Sequence, residues 1–287
     1  MNVILCFSCT SRMNLDVKSV PTTICIYGYI QSHSSFQTIE ITKTSSFFSN
    51  LVNKPIVDAN VVITSSDSIT YKYMYVSDLG VYCSQKPFTP KFPLNYHLCV
   101  KCDVDGDGVV EKYEADTRAG RSIKIDTMIC EYGEFLGKGY YSANLYFNEP
   151  KGEDYYLYRF FLNDSLVYRK VSKFMTWKDD LLDGEYINGR GFYRFHCLSD
   201  IDKYTEEEKY DNFFIKKGDI LKIEGAIVEK GFYDFILQCH IKQKGENPFF
   251  GGPGANITSN ISNGGVGYFG VFNSAFAHTQ IIDGPDI

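Results

Sequence analysis

Apolar and polar residues alternate at period two along much of the chain, a pattern that predicts strands rather than helices. Residues 22–30 (TTICIYGYI) read as a half-buried strand, and residues 38–42 (TIEIT) repeat the pattern. Residues 55–63 predict a strand pair, and residues 77–82 a turn feeding a strand, with Gly80 supplying a positive φ. Residues 96–100 and 122–125 complete an N-terminal set of short strands at sandwich-like spacing. Pro87, Pro90 and Pro93 keep a helix out of their stretch.

Beyond residue 136 the predicted strands lengthen. Residues 155–162 (YYLYRFFL) are apolar on both faces, as a central strand requires. Residues 219–228 and 233–241 are expected to be further strands. A short helix is predicted over residues 203–212, where Thr205 and Glu208 have the spacing of a capping box. The Gly- and Asn-rich stretch 247–270 predicts a long ordered loop that closes on a final strand. The expected fold is all-β: two β-sandwich-type domains, the first immunoglobulin/transthyretin-like, with at most one or two short helices. Residues 1–21 are expected to be a lipoprotein-signal remnant and linker. Residues 22–135 would form the first sandwich, and residues 136–287 the second β domain with its tail.

Composition narrows the function. At 44% hydrophobic and 22% charged residues, the 287-residue chain is that of a folded protein. The 22 Tyr and 22 Phe against 1 Trp suit strand surfaces. With 29 Lys+Arg against 35 Asp+Glu the net charge is −6, which argues against nucleic acid as a partner. No apolar run is long enough for a transmembrane helix, so membrane association would be by lipid anchor only. Near the start, residues 3–7 are apolar, Ser8 is small and Cys9 follows, the order found at the end of a bacterial lipoprotein signal. Lipidation is therefore expected at Cys9. The run is short and lacks a basic residue before it, so the true start lies upstream or the segment is a buried first strand. Without Cys6 and Cys9, seven cysteines remain, an odd number that implies no complete disulfide framework. Cys99 and Cys102 form a CxxC, but no second pair accompanies it, and buried thiols are the expected role.

The sharpest motif is DVDGDGVVEKYE over residues 103–114, the twelve-residue calcium-loop pattern. Carboxylates so close together repel one another unless a cation lies between them, and hard oxygen ligands select calcium. Asp103, Asp105 and Asp107 would ligate by side chain, Val109 by its carbonyl, Glu111 through water and Glu114 bidentately; Gly108 permits the turn. The alternative is a solvated acidic hairpin. Flanking residues alternate like strands, so a calcium clip on a β-connection is expected rather than a helix–loop–helix hand. Catalytic signatures are poor, and no catalytic residue is assigned: the five histidines are scattered and no nucleophile motif appears. Asp179, Asp180, Asp183 and Glu185 surround Gly184 and are expected to form a solvated turn. His196 and His240 are expected to be packed within strands.

Several segments together resemble a family of uncharacterised Bacteroidota surface lipoproteins, domain of unknown function 4249. They are residues 26–30, 57–63, 80–82 and 155–158, Asp183-Gly184, residues 247–249 and 259–261, Asn263-Gly264 and residues 267–270. The resemblance spans residues 22–272, with its most specific part at the C-terminal end. It implies a lipid-anchored outer-membrane protein at the cell surface, many members being encoded beside TonB-dependent receptors. The family has no established catalytic residues, and the calcium loop is a feature of this chain. The expected function is a non-enzymatic accessory or ligand-presenting partner of a TonB-dependent nutrient receptor. A surface hydrolase and a calcium-stabilised adhesion module are the alternatives.

Overall fold

Alternation lets a strand bury one face and leave the other to solvent, and the burial of Ile24, Ile26 and Ile30 on one face of the first strand follows that rule. The computed structural model describes residues 22–43, 54–118, 120–168, 170–180, 183–243 and 257–286. The segment 1–21, with Cys9, lies outside the described residues, as does the 247–256 part of the tail. A first lobe holds β1 (Ile24–Gln31), β2 (Thr38–Lys43), β3 (Lys54–Pro55), β4 (Asn60–Ser65), β5 (Thr70–Val76), β6 (Val81–Ser84), β7 (Asn95–Cys102) and β8 (Glu111–Arg118). The second begins with β9 (Ile125–Phe135), β10 (Lys138–Asn148), β11 (Tyr155–Leu162), β12 (Ser165–Leu166) and β13 (Met175–Lys178). It continues through β14 (Tyr186–Cys197), α1 (Glu206–Asp211), β15 (Phe214–Ile215), β16 (Ile220–Ile227), α2 (Lys230–Gln243) and β17 (Val266–Gln280).

The strands make a 13-stranded sheet and a 4-stranded one, an all-β, sandwich-type architecture. The large sheet runs through both lobes because β17 is shared. Its first half lies parallel to β1, Cys25 opposite Val266, and its second half pairs with β16, Ile227 opposite Asn273. Only glycine fits where β17 meets β1: Gly267 has φ +115, and a Cβ there would lie 2.0 Å from the Ile26 carbonyl oxygen. The first core gathers residues of β1, β2, β4, β7, β8 and β17. In the second lobe the 4-stranded sheet (β15-β14-β10-β9) covers one face of the large sheet, and α2 covers the other. As expected of a central strand, β11 is buried on both faces. Tyr156, Tyr158 and Phe160 enter the inter-sheet core, while Tyr155 and Leu157 face α2.

Two sequence expectations change. Residues 125–135 pair with β10 in the 4-stranded sheet and so belong to the second lobe. The expected boundary at 135/136 falls on the tip of a hairpin. Leu136 (φ 50) and Gly137 (φ 72) form a two-residue turn with both central φ values positive, as a tight hairpin prefers. Residues 233–241, expected as a strand, lie in α2, so His240 is helical. Phe232, Phe235, Ile236 and Cys239 recur at i, i+3, i+4 and i+7, and this helical stripe outweighs the shorter alternation seen within it. α1 forms as expected, with the Thr205–Glu208 capping box in place. Among the described residues no helix is long and apolar enough to cross a membrane.

Candidate metal centre

The calcium-pattern segment is the connection of the β7–β8 hairpin, flanked by strands and not by helices. Its acids are folded inward by the backbone itself. Asp103 accepts the N–H groups of Gly106 at 2.7 Å and Gly108 at 2.8 Å, which holds its carboxyl below the usual range. Asp105 accepts the N–H of Asp107 at 3.2 Å, and Asp107 accepts that of Val109 at 2.7 Å. Both Gly106 (φ +86) and Gly108 (φ +87) adopt the left-handed conformation the loop requires. Asp103, Asp105 and Asp107 each bring an oxygen within 4.8 Å of the others.

Of the remaining expected ligands, Glu111 lies beside this cluster, its carboxylate accepting the Val104 N–H at 3.2 Å. Glu114 is not brought into the cluster. It sits on β8 opposite Cys99, paired with Lys112 at 2.6 Å and His97 at 3.1 Å, and Lys112 holds its carboxyl below the usual range. The cause is geometric. β8 begins at Glu111, and three residues of strand advance the chain by about 10 Å. In a helix–loop–helix hand the same three residues would turn back toward the ion. Val109 and Val110 stand exposed at the tip.

A second acidic cluster lies at one end of the second lobe. Glu149 follows β10, Asp154 precedes β11, and Asp179 follows β13. They belong to connections from both sheets, yet each brings an oxygen within 4.8 Å of the others, and their exposures are only 3%, 4% and 3%. Asp179 departs from the solvated turn expected of residues 179–185: its neighbours Asp180 and Asp183 are exposed, but it is buried. Its position at the end of β13, beside Trp177 packed 5.2 Å from Tyr156, draws it under the sheet.

The partners of this buried cluster can be followed atom by atom. Arg121 forks onto Asp154, Nε at 3.1 Å from Oδ1 and Nη2 at 2.6 Å from Oδ2. Tyr156 donates its hydroxyl to Glu149 Oε1 at 2.7 Å, and the Gly184 N–H reaches Oε2 at 2.5 Å. The Asp154 N–H donates to Asp179 Oδ1 at 3.1 Å, whereas Asp179 Oδ2 is buried without a partner among the described residues. Burial pushes the carboxyls of Glu149 and Asp154 above their ordinary values. Sequence spacing concealed this site, because its acids come from three positions 5 and 25 residues apart along the chain. The Glu-Pro-Lys-Gly-Glu-Asp run over residues 149–154 was the available signal.

Several other titratable groups have structural partners. Arg159 and Glu224, buried under α2, pair at 2.5 Å and tie β11 and β16 to Tyr29 and Gln31 of β1. His196 hydrogen-bonds the Tyr204 hydroxyl at 2.8 Å. Burial raises the thiol of Cys102 to about 11 and that of Cys130 to about 12, which keeps both as inert thiols. Where the lobes meet, a cleft of about 630 Å³ is lined by Phe92, Arg118, Arg121, Glu229 and Asn273, among others.

Among curated proteins none matches this sequence. Among solved structures, a crystal structure of a mutant Salmonella alpha-2-macroglobulin is similar at 11% identity with a TM-score of 0.22. That match covers 72% of this chain and 13% of the other. The model of the family described as Domain of unknown function (DUF4249) matches residues 10–276, and the chain belongs to that family.

Proposed function

We propose that this chain is a lipid-anchored, non-enzymatic outer-membrane protein that presents a ligand to a TonB-dependent nutrient receptor. Cys9 would carry the lipid. The observation that carries the presenting role is the cleft between the lobes, where Arg118, Arg121 and Glu229 set charge beside the apolar Phe92. Small-ligand sites favour such junctions, with a few polar groups fixing orientation on an otherwise apolar wall. Calcium, held by Asp103, Asp105 and Asp107 with the Val109 carbonyl and Glu111, would stiffen the β7–β8 tip. That tip exposes two valines as a contact point for the partner.

The hydrolase alternative has less support: its acids at 179–185 divide between a buried Asp179 and exposed neighbours, and do not line one open cleft. A tagged pull-down from gently solubilised outer membranes tests the proposal. Near-stoichiometric recovery of a TonB-dependent receptor, reduced by a calcium chelator, is the expected result. Recovery of the chain alone, with or without calcium, would overturn it.

A further inference from the structure

The charge of the Glu149–Asp154–Asp179 cluster does not close. Among the described residues three carboxylates face one guanidinium, Arg121, leaving a formal charge of −2 in a site where each acid is at least nine-tenths buried. Lys178, the nearest cation along the chain, is engaged elsewhere, at 3.2 Å from Glu153 and 2.5 Å from Asp180. A buried charge without a counter-charge is expelled or neutralised. The hydrogen bonding has a matching gap. Both oxygens of Glu149 and of Asp154 accept donors, and one oxygen of Asp179 does too, but Asp179 Oδ2 receives none from the described residues. The missing component therefore carries about two positive charges and binds oxygen.

We propose that Glu149, Asp154 and Asp179 form a buried structural site for a hard divalent cation, calcium, distinct from the β7–β8 loop. Carboxylate oxygens select hard cations over zinc or copper. Two oxygens that flank one ion at about 2.4 Å, the calcium distance, lie at most about 4.8 Å apart, and the three acids keep within that bound. Magnesium retains several waters and demands regular octahedral geometry, which suits a pocket this dry poorly. The cation would join the β10–β11 connection to the end of β13, and so fasten the two layers of the second lobe at one edge. Gly184 and Gly152 already cross-link the same connections, donating to Glu149 and Asp183 at 2.5 and 2.6 Å.

Position allows a selective test. Trp177, the one tryptophan in the chain, lies two residues before Asp179 and packs on Tyr156. Terbium, a hard oxygen-seeking ion that substitutes for calcium, emits when a nearby excited indole transfers energy to it. The experiment uses the full chain, since β17 is shared by both lobes, with Asp103→Asn, Asp105→Asn and Asp107→Asn together removing the loop acids. That variant, excited through tryptophan, is expected to show terbium emission displaced by calcium and far less by magnesium. After exchange into metal-free buffer it should retain about one equivalent of calcium by elemental analysis. Adding Asp179→Asn should abolish both signals. No tryptophan-sensitised emission and no retained calcium in the loop variant would overturn the proposal, with protons supplying the missing charge. Equal signals with and without Asp179→Asn would overturn the assignment to this cluster. If Asp179→Asn fails to fold, the emission of the loop variant alone decides.

Discussion

The molecule contains two clusters of three carboxylates, each with oxygens within 4.8 Å of one another, and they are built in opposite ways. In the β7–β8 loop, Asp103, Asp105 and Asp107 lie within five residues, and the loop's own N–H groups satisfy them in partial contact with water. At the end of the second lobe, Glu149, Asp154 and Asp179 arrive from separate connections and are satisfied by Arg121, Tyr156 and remote N–H groups, nearly out of contact with water. Solvent screens the first set, and a cation there stiffens a loop that its backbone already folds. The second set lies in low dielectric, where every unmatched charge counts against the native state. Equal numbers of acids thus imply unequal consequences for stability.

The largest expected effect follows from removing the guanidinium. Arg121→Ala, in chelator-treated buffer, should lower unfolding free energy by about 2–4 kcal/mol. That is somewhat below the range for breaking a fully buried pair, because Arg121 is itself 43% exposed. Urea unfolding measures it, and a loss under about 0.5 kcal/mol would erase the contrast between the clusters. Next comes Tyr156→Phe, which takes the hydroxyl from Glu149 while keeping the ring against Trp177 and Phe147. A buried acceptor then loses its donor, at about 1–3 kcal/mol by the same measurement. Asp103→Ala should cost less than either, since it removes bonds of the kind made by a helix N-cap from a group in contact with water. Its mark should be local: faster amide exchange at Gly106 and Gly108, with β9 and β10 unchanged. Faster exchange across β9 and β10 would contradict a self-contained loop.

The same contrast explains how much could be read from the sequence. The loop acids were legible because their spacing is fixed by one turn of chain, and Gly106 and Gly108 mark its path. Glu114 was misplaced because the pattern was learnt on a helix, while here the chain after Glu111 runs straight as β8. The buried cluster was illegible for a different reason. Pairing of β11 with β13 and β16 brings its acids together, and no local period encodes which strands will pair. The exchange of β9 and half of β17 between lobes was hidden likewise, by a hairpin turn that resembles a linker and by a parallel pairing across 241 positions. The aromatic strand at 155–162 was clear because burial on both faces leaves a continuous apolar run. α2 was missed because the nine residues 233–241, taken alone, leave out Phe232, the first residue of the helical stripe, and show an apparent alternation.

A lone carboxylate supplies the baseline between the two clusters. Asp200 accepts the Gly139 N–H at 2.5 Å and pairs with Lys203 at 2.6 Å, and these partners, the backbone bond first, hold its carboxyl below the ordinary value. Because its folded pKa lies below the unfolded value, the unfolded chain takes up the proton first as the pH falls. The stabilisation is therefore complete above the unfolded value of about 3.9 and is lost as the pH drops through the folded pKa. Asp200→Asn keeps the shape and removes the charge. The Tm gap between native chain and variant should be steady from about pH 7 to about pH 5 and close below about pH 4. The gap should also be the smallest of the series, because one acid with two ready donors leaves no charge uncompensated. A gap that persists unchanged into strong acid would show that the Gly139 contact works through shape alone. The ranking of all three acidic sites by charge balance would then lose its lowest rung.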